Sequence, residues 1–171
     1  SATELEHQVT DAVDAAWGQM SHALLNTARL FEEVEKKRVA IHVLEWLSNE
    51  KQRPPFEVIN IEERREVSFA AKTLKLTVDR VDRLENNDHL CIDYKTGKGM
   101  RATALVKEPL EQVQLPLYAL TLDPTPQAIA YGVLNVEENQ LTGVASSSAS
   151  THAGFSNKKN PWTRYFATFA I

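Results

Sequence analysis

Cysteine is almost missing: Cys91 stands alone in 171 residues. One thiol excludes an intrachain disulfide and any zinc or iron–sulfur centre built on four cysteines. It sits between Leu90 and Ile92, where packing in a strand is the expected role. There is no run of about 18 apolar residues able to span a bilayer, and no apolar core of a signal peptide. A soluble, reducing compartment is the resulting expectation. An excess of positive charge is also lacking. With 19 Lys+Arg against 23 Asp+Glu the formal net charge is −4. This excludes a broadly cationic binder, whose affinity depends on many clustered Lys and Arg releasing counterions. The hydrophobic fraction of 43% is that of a folded domain. The length fits one domain with a continuous core.

What is present divides by period. Leu5, Val9, Ala12, Val13, Ala16, Trp17, Met20 and Leu24 recur at steps of three and four, as on one face of a helix. A second helical stripe runs through Phe31, Val34, Ile41, Leu44 and Leu47. Glu32, Glu33, Glu35, Lys36, Lys37 and Arg38 are expected mostly on its wet side. Ser48, Asn49 and then Pro54-Pro55 stop that helix, since proline lacks an amide donor and restricts the residue before it. Residues 1–53 therefore read as a helical segment. After Pro55 the period becomes two. Residues 56–62 suit a strand, and 66–70 are either another strand or its continuation past a bulge. Residues 74–84 carry the longest alternation. The cluster Glu85-Asn86-Asn87-Asp88 then turns the chain into residues 89–95, a hairpin signature.

Beyond Gly97, Pro109 opens a helix through Val113, Leu117 and Leu120, with a kink or a late start at Pro116. Residues 128–136 are a further strand, with which 140–145 can pair. Residues 146–160 read as a mobile loop rich in Ser, Asn, Lys and Gly, and Trp162, Phe166 and Phe169 as a short amphipathic helix. Helices, a hairpin, then helix and strand predict an α/β domain with a central mixed sheet flanked by helices, its core within residues 54–145.

Asp93 and Lys95 are two apart on one predicted strand, so their side chains leave by the same face, which Cys91 shares. With the turn centred on Asn86-Asn87, paired residues sum to about 173. That sets Asp79 opposite Tyr94 or Lys95, within a residue of Asp93. Two carboxylates and an ammonium converge. Two acids plus a carbonyl form a hard oxygen site suited to Mg²⁺ or Mn²⁺. An ion there can polarise a phosphodiester and acidify water. Lys95 can orient or deprotonate that water, although two neighbouring carboxylates favour its protonated form. The bland alternative is an exposed cross-strand ion pair worth about 0.2–1 kcal/mol.

Residues 76–83, Leu-Thr-Val-Asp-Arg-Val-Asp-Arg, followed by Ile92-Asp93-Tyr94-Lys95-Thr96-Gly97, resemble the RecB-type branch of the PD-(D/E)XK nuclease superfamily. Gln114-Leu115-Pro116-Leu117-Tyr118 matches that branch's Gln-x-x-x-Tyr helix. Trp46 to Glu50, Arg53, Pro55 to Val58 and Glu62 are similar to bacterial DNA-repair proteins that couple an inactivated helicase-like region to this nuclease domain. The resemblance covers about residues 30–145 and implies a restriction-endonuclease-like core. It also implies that Asp79, Asp93 and the backbone carbonyl of Tyr94 bind metal, that Lys95 is the catalytic lysine, and that Gln114 and Tyr118 organise the site and the DNA backbone. DNA is then the partner, with a helicase-like region in the same protein or a partner helicase. Glu62 matches a recurrent acid, and Arg80 with Asp82 is expected to form a supporting ion pair.

Two positions depart from the family pattern. Leu76 stands where the family has a small Gly three places before the first Asp. The family's upstream Gly-x-x-x-His is imitated by Gly18 and His22, yet relatives place that helix further from Trp46. The expectation is that the histidine helix precedes Ser1, that the chain is a piece of a longer protein, and that His22 and His42 are ordinary helix residues. Three functional classes follow: a metal-dependent DNA nuclease in repair or recombination, a non-catalytic DNA-binding or scaffolding module derived from one, and a hairpin with surface ion pairs.

Overall fold

The computed structural model describes residues 2–20, 29–69, 72–97, 105, 114–135, 137, 139–146, 149 and 153. The chain divides into two units, Ser1–Lys51 and Gln52–Ile171. Among the described residues no helix is long and apolar enough to cross a membrane.

The first unit is two helices, α1 (Ala2–Met20) and α2 (Arg29–Glu50). Glu4 lies in the first described turn of α1. An apolar pocket between the helices is lined by Leu5, Val9 and Val13 from α1 and by Val39, Val43 and Leu47 from α2. The stripe expected on α2 is buried only in part: Leu47 lines the pocket and Leu44 is half-buried. Phe31, Val34 and Ile41 are all exposed, whereas Trp46 is buried. Lys36, expected on the wet side, instead meets α1. Its ammonium reaches Asp14 of α1 at 3.0 Å and Glu32 at 2.9 Å, and its side chain is only 18% exposed. These partners hold its pKa above the usual lysine range, the hydrogen bond to Glu32 contributing most. Lys36 thus lies on the α1 side of α2 with Val39, Val43 and Leu47, which line the pocket.

The second unit carries a five-stranded sheet in the order β1-β2-β3-β4-β5. Its strands are β1 (Phe56–Phe69), β2 (Lys72–Leu84), β3 (His89–Lys95), β4 (Ala128–Leu134) and β5 (Asn139–Ala145), with α3 (Gln114–Thr121) between β3 and β4. All pairings are antiparallel except β3 with β4, which is parallel, so the sheet is mixed and the fold is α/β as the periodicity predicts. Residues 56–69 form a single strand with a bulge between Val58 and Asn60. The β2–β3 loop closes with Leu84 donating to the Asp88 carbonyl at 2.8 Å, and Asn87 takes φ 64, a left-handed conformation asparagine tolerates. This closure makes partners sum to 172, as in Arg80↔Ile92, one less than expected. Asp79 therefore falls across from Asp93.

Two apolar layers cover the sheet. On one face Leu115, Tyr118, Ala119 and Leu122 of α3 and its following turn pack with Val78, Cys91, Ile129, Tyr131 and Val133. On the other, Leu84, Leu90 and Ile92 pack with Ala128, Ala130 and Ala145. Burial of β4 is unbroken from Ala128 to Val133, as for a parallel strand covered on both sides. β5 lies close against it: a Cβ on Gly143 would sit 2.6 Å from the Ala130 Cβ and collide with the Ile129 carbonyl. Gly143→Ala should therefore lower stability by about 1–3 kcal/mol, the usual cost of overpacking, measured by denaturant titration. Pro116 lies in the first described turn of α3. The helix start expected at Pro109, the helix at 162–169 and most of the 146–160 loop lie outside the described residues.

Candidate active site

Strand alternation dictates where Asp93 and Lys95 point. Cys91, Asp93 and Lys95 face the α3 side, and Leu90, Ile92 and Tyr94 the other. In β2 the alternation fails. Val78 and Val81 both pack on the α3 side, although a regular strand would send them to opposite faces. Across from this step, Glu62 of β1 has φ 47. A left-handed non-glycine residue inside a strand stores on the order of 1–3 kcal/mol of strain. It marks a twist of the β1–β2 ladder at the level of Asp79.

The β2–β3 ladder ends at the same level, its last pair being Arg80↔Ile92. Beyond it the strands part, and the Asp79 carboxylate replaces a backbone carbonyl by accepting the Tyr94 N–H at 2.8 Å. Asp79 is thus fixed by β3 itself. The Asp93 side chain is 1% exposed, with Lys95 Nζ 2.5 Å from its Oδ2. Burial raises the Asp93 pKa above the usual aspartate range. Lys95 opposes that rise, and the negative charge of Asp79 adds to it.

Helix α3 closes the site from above. Lys95 Nζ donates to Gln114 Oε1 at 3.4 Å, and Gln114 Nε2 donates to the Tyr118 hydroxyl at 2.6 Å. The Tyr118 hydroxyl in turn donates to the Thr77 carbonyl of β2. Burial pushes the Tyr118 phenol up, the Gln114 hydrogen bond works against this, and Asp93 reinforces it. Of the five side chains singled out from the sequence, Asp93, Lys95, Gln114 and Tyr118 form one line of polar contacts from β3 to α3, and Asp79 lies across from Asp93 on β2.

Other residues stand apart or were not foreseen. Glu62 is exposed. His42 lies in α2, its Nδ1 3.6 Å from Glu45 Oε2. His22 lies outside the described residues. The Cys91 thiol is fully buried, and burial followed by the charges of Asp93 and Asp79 pushes its pKa up, so it serves packing. Tyr131 was missed. It pairs in register with Asp93, its hydroxyl is buried without a hydrogen-bond partner, and its pKa is pushed up to about 12 by burial and by Asp93. The only signal for it is register: no local motif surrounds it in β4. The Thr77 contribution is a backbone carbonyl and leaves no mark on residue type.

The Asp79 and Asp93 pair bears on a divalent ion. Among the described residues no group of three or more His, Cys, Asp or Glu side chains gathers to hold a metal. Mg²⁺ ordinarily takes one or two carboxylates and completes its shell with water and substrate phosphate, so two acids are a fitting donor set. The buried Asp93 Oδ2, which has no hydrogen-bond donor in good geometry beside its ion pair, is an acceptor suited to a cation.

The chain matches the PD-(D/E)XK nuclease superfamily over residues 1–167. It belongs to that superfamily. The mixed sheet with α3 between its parallel strands is accordingly a restriction-endonuclease-like PD-(D/E)XK core. The match also extends beyond residues 30–145, the span of the sequence resemblance. No curated protein matches the chain. A solved structure, SSO0001, is similar at 13% identity over 98% of this chain and 94% of that one, with a TM-score of 0.36, too low to carry an argument.

Proposed function

We propose that this chain is a divalent-metal-dependent DNA nuclease domain of the RecB-type branch. It would act in repair or recombination within a longer bacterial protein that carries a helicase-like region, or beside a partner helicase. Residues 1–171 would form one nuclease-like domain, with the catalytic core in 54–145. The observation that carries this reading is the hydrogen-bonded line from Lys95 through Gln114 and Tyr118 to Thr77, which sets a lysine beside a buried aspartate next to Asp79.

In this reading Asp79, Asp93 and the Tyr94 carbonyl hold Mg²⁺ or Mn²⁺. The ion, when bound, supplies charge stabilisation at the scissile phosphate and lowers the pKa of water. Asp93 holds the Lys95 ammonium, and Gln114 limits its swing. That directs Lys95 toward an incoming phosphate oxygen or the attacking water. Tyr118 fixes Gln114 by donating its own proton to Thr77. Such fixed donors need little rearrangement as charge develops in the transition state.

A second reading, a DNA-binding or scaffolding module without cleavage, is favoured by the lack, among the described residues, of any group of three or more metal-ligating side chains. One experiment separates the two. Labelled single- and double-stranded DNA is incubated with the chain and with Asp79→Ala, in Mn²⁺ and in EDTA, while calorimetry follows Mn²⁺ binding. The nuclease reading expects cleavage only with Mn²⁺ and only without the substitution. DNA binding with no metal-dependent difference between the two proteins would sink it in favour of the module.

A further inference from the structure

The face of the sheet away from α3 carries a second polar cluster that the proposed chemistry does not use. Asp82 is fully buried near the end of β2. It accepts Arg80 Nε at 2.6 Å and Arg80 Nη2 at 3.0 Å, the two-pronged geometry only arginine provides, and Arg53 Nη2 at 3.0 Å. The Phe56 ring lies against both guanidiniums, 4.0 Å from Arg53 and 5.1 Å from Arg80. Arg80 Nη1 then donates to the Tyr94 hydroxyl at 2.9 Å.

Buried ion pairs are seldom more stable than apolar residues of the same volume, so stability alone is a weak account of this cluster. Its geometry offers a stronger one. Tyr94 is held at two ends: its hydroxyl by Arg80 on one side of the sheet, and its backbone N–H by Asp79 where the β2–β3 ladder has ended. Beyond the last ladder pair, Arg80↔Ile92, these two bonds tie residue 94 to β2.

We infer that Arg53, Asp82 and Arg80 act through Tyr94 as a positioning device that fixes the Asp79 carboxylate from the opposite face of the sheet. These are positioning residues, since none meets the reacting atoms. Fixing Asp79 is a statement about the metal-free protein. Its consequence for metal affinity rests on the nuclease reading.

Tyr94→Phe tests this by removing one hydroxyl and leaving the buried charges paired. Amide hydrogen exchange by NMR is followed on the whole chain without metal, and Mn²⁺ affinity is measured by calorimetry. The expected result is exchange of the residue 94 amide on the order of tenfold faster, the effect of about one hydrogen bond. The Ala130 amide in the middle of β4 and the melting temperature should stay close to the unsubstituted protein, which a merely stabilising hydroxyl would not allow. Mn²⁺ binding should weaken about tenfold, the lower end for losing a group that orients a metal ligand. Unchanged exchange at residue 94 overturns the inference whatever the metal does. Faster exchange with unchanged Mn²⁺ affinity confines the device to the backbone and overturns its role at the site. Faster local exchange in a chain that binds no Mn²⁺ even when unsubstituted upholds the positioning of Asp79 and defeats the nuclease reading instead.

Discussion

On the nuclease reading, Asp93→Asn is expected to abolish metal-dependent cleavage, with Mn²⁺ affinity falling at least ~100-fold; on any reading it is expected to raise the melting temperature of the metal-free protein. The opposed effects have one source. The Asp93 carboxyl is buried, and its pKa is raised in the folded chain chiefly by that burial. The folded state then holds the proton more tightly than the unfolded state, so ionising Asp93 works against folding. The penalty is absent at pH values below the ordinary aspartate range, where both states are protonated. It grows as pH rises through that range and is complete above the raised folded value. Asparagine, of the same shape and never ionised, escapes it. The gain should be about 1 kcal/mol at neutral pH, typical when a strained functional group is neutralised, and should shrink as the pH is lowered toward the ordinary carboxylate range. Thermal unfolding of both proteins across pH, without metal, checks the sign. A variant less stable than the parent at pH 7 would show that the Lys95 ion pair outweighs the desolvation of Asp93.

The same residue explains what could be read in the sequence. Asp93 and Lys95 were placed on one face by a period of two, a rule that holds wherever the strand is regular, and β3 is regular. Asp79 was brought near them by counting across a turn. The count erred by one because the loop closes on Leu84 and Asp88. That error would matter for a side chain needing a particular face. It mattered little here, because the Asp79 carboxylate reaches a backbone amide at the end of the ladder. Gln114 and Tyr118, four apart on α3, fall on one helical face and so meet Lys95 and Thr77 together.

Illegible features depend on distant partners. The twist at Glu62, the break in alternation between Val78 and Val81, and the join of Arg53 to Asp82 all arise from packing between segments far apart in sequence. The first half of the α2 stripe is exposed for a related reason. Apolar residues are spread around that helix, so its period alone does not separate the faces, and the partner of Lys36, Asp14, lies on another helix.

Asp82→Ala should produce the largest loss of stability of any single substitution considered, about 3–5 kcal/mol, because it leaves buried arginines without their shared carboxylate. The Arg53 side chain is 5% exposed and that of Arg80 7%, so water cannot easily replace the missing oxygens. The loss should be strongly non-additive. Replacing Arg53 and Arg80 by Met in the same chain removes the charges that Asp82 served and should recover most of the stability, since apolar replacements of buried ion pairs are often neutral. The Mn²⁺ affinity should not recover with it. Methionine fills the space of Arg80 but offers no donor to the Tyr94 hydroxyl, so the tie from the cluster to residue 94 and Asp79 is not restored. Denaturant unfolding and Mn²⁺ calorimetry on the Asp82→Ala chain, with and without the two Met substitutions, read the two quantities separately. If stability and affinity return together, the cluster serves the fold alone. If only stability returns, the buried charges are kept in β2 for the orientation they impose on the site across the sheet.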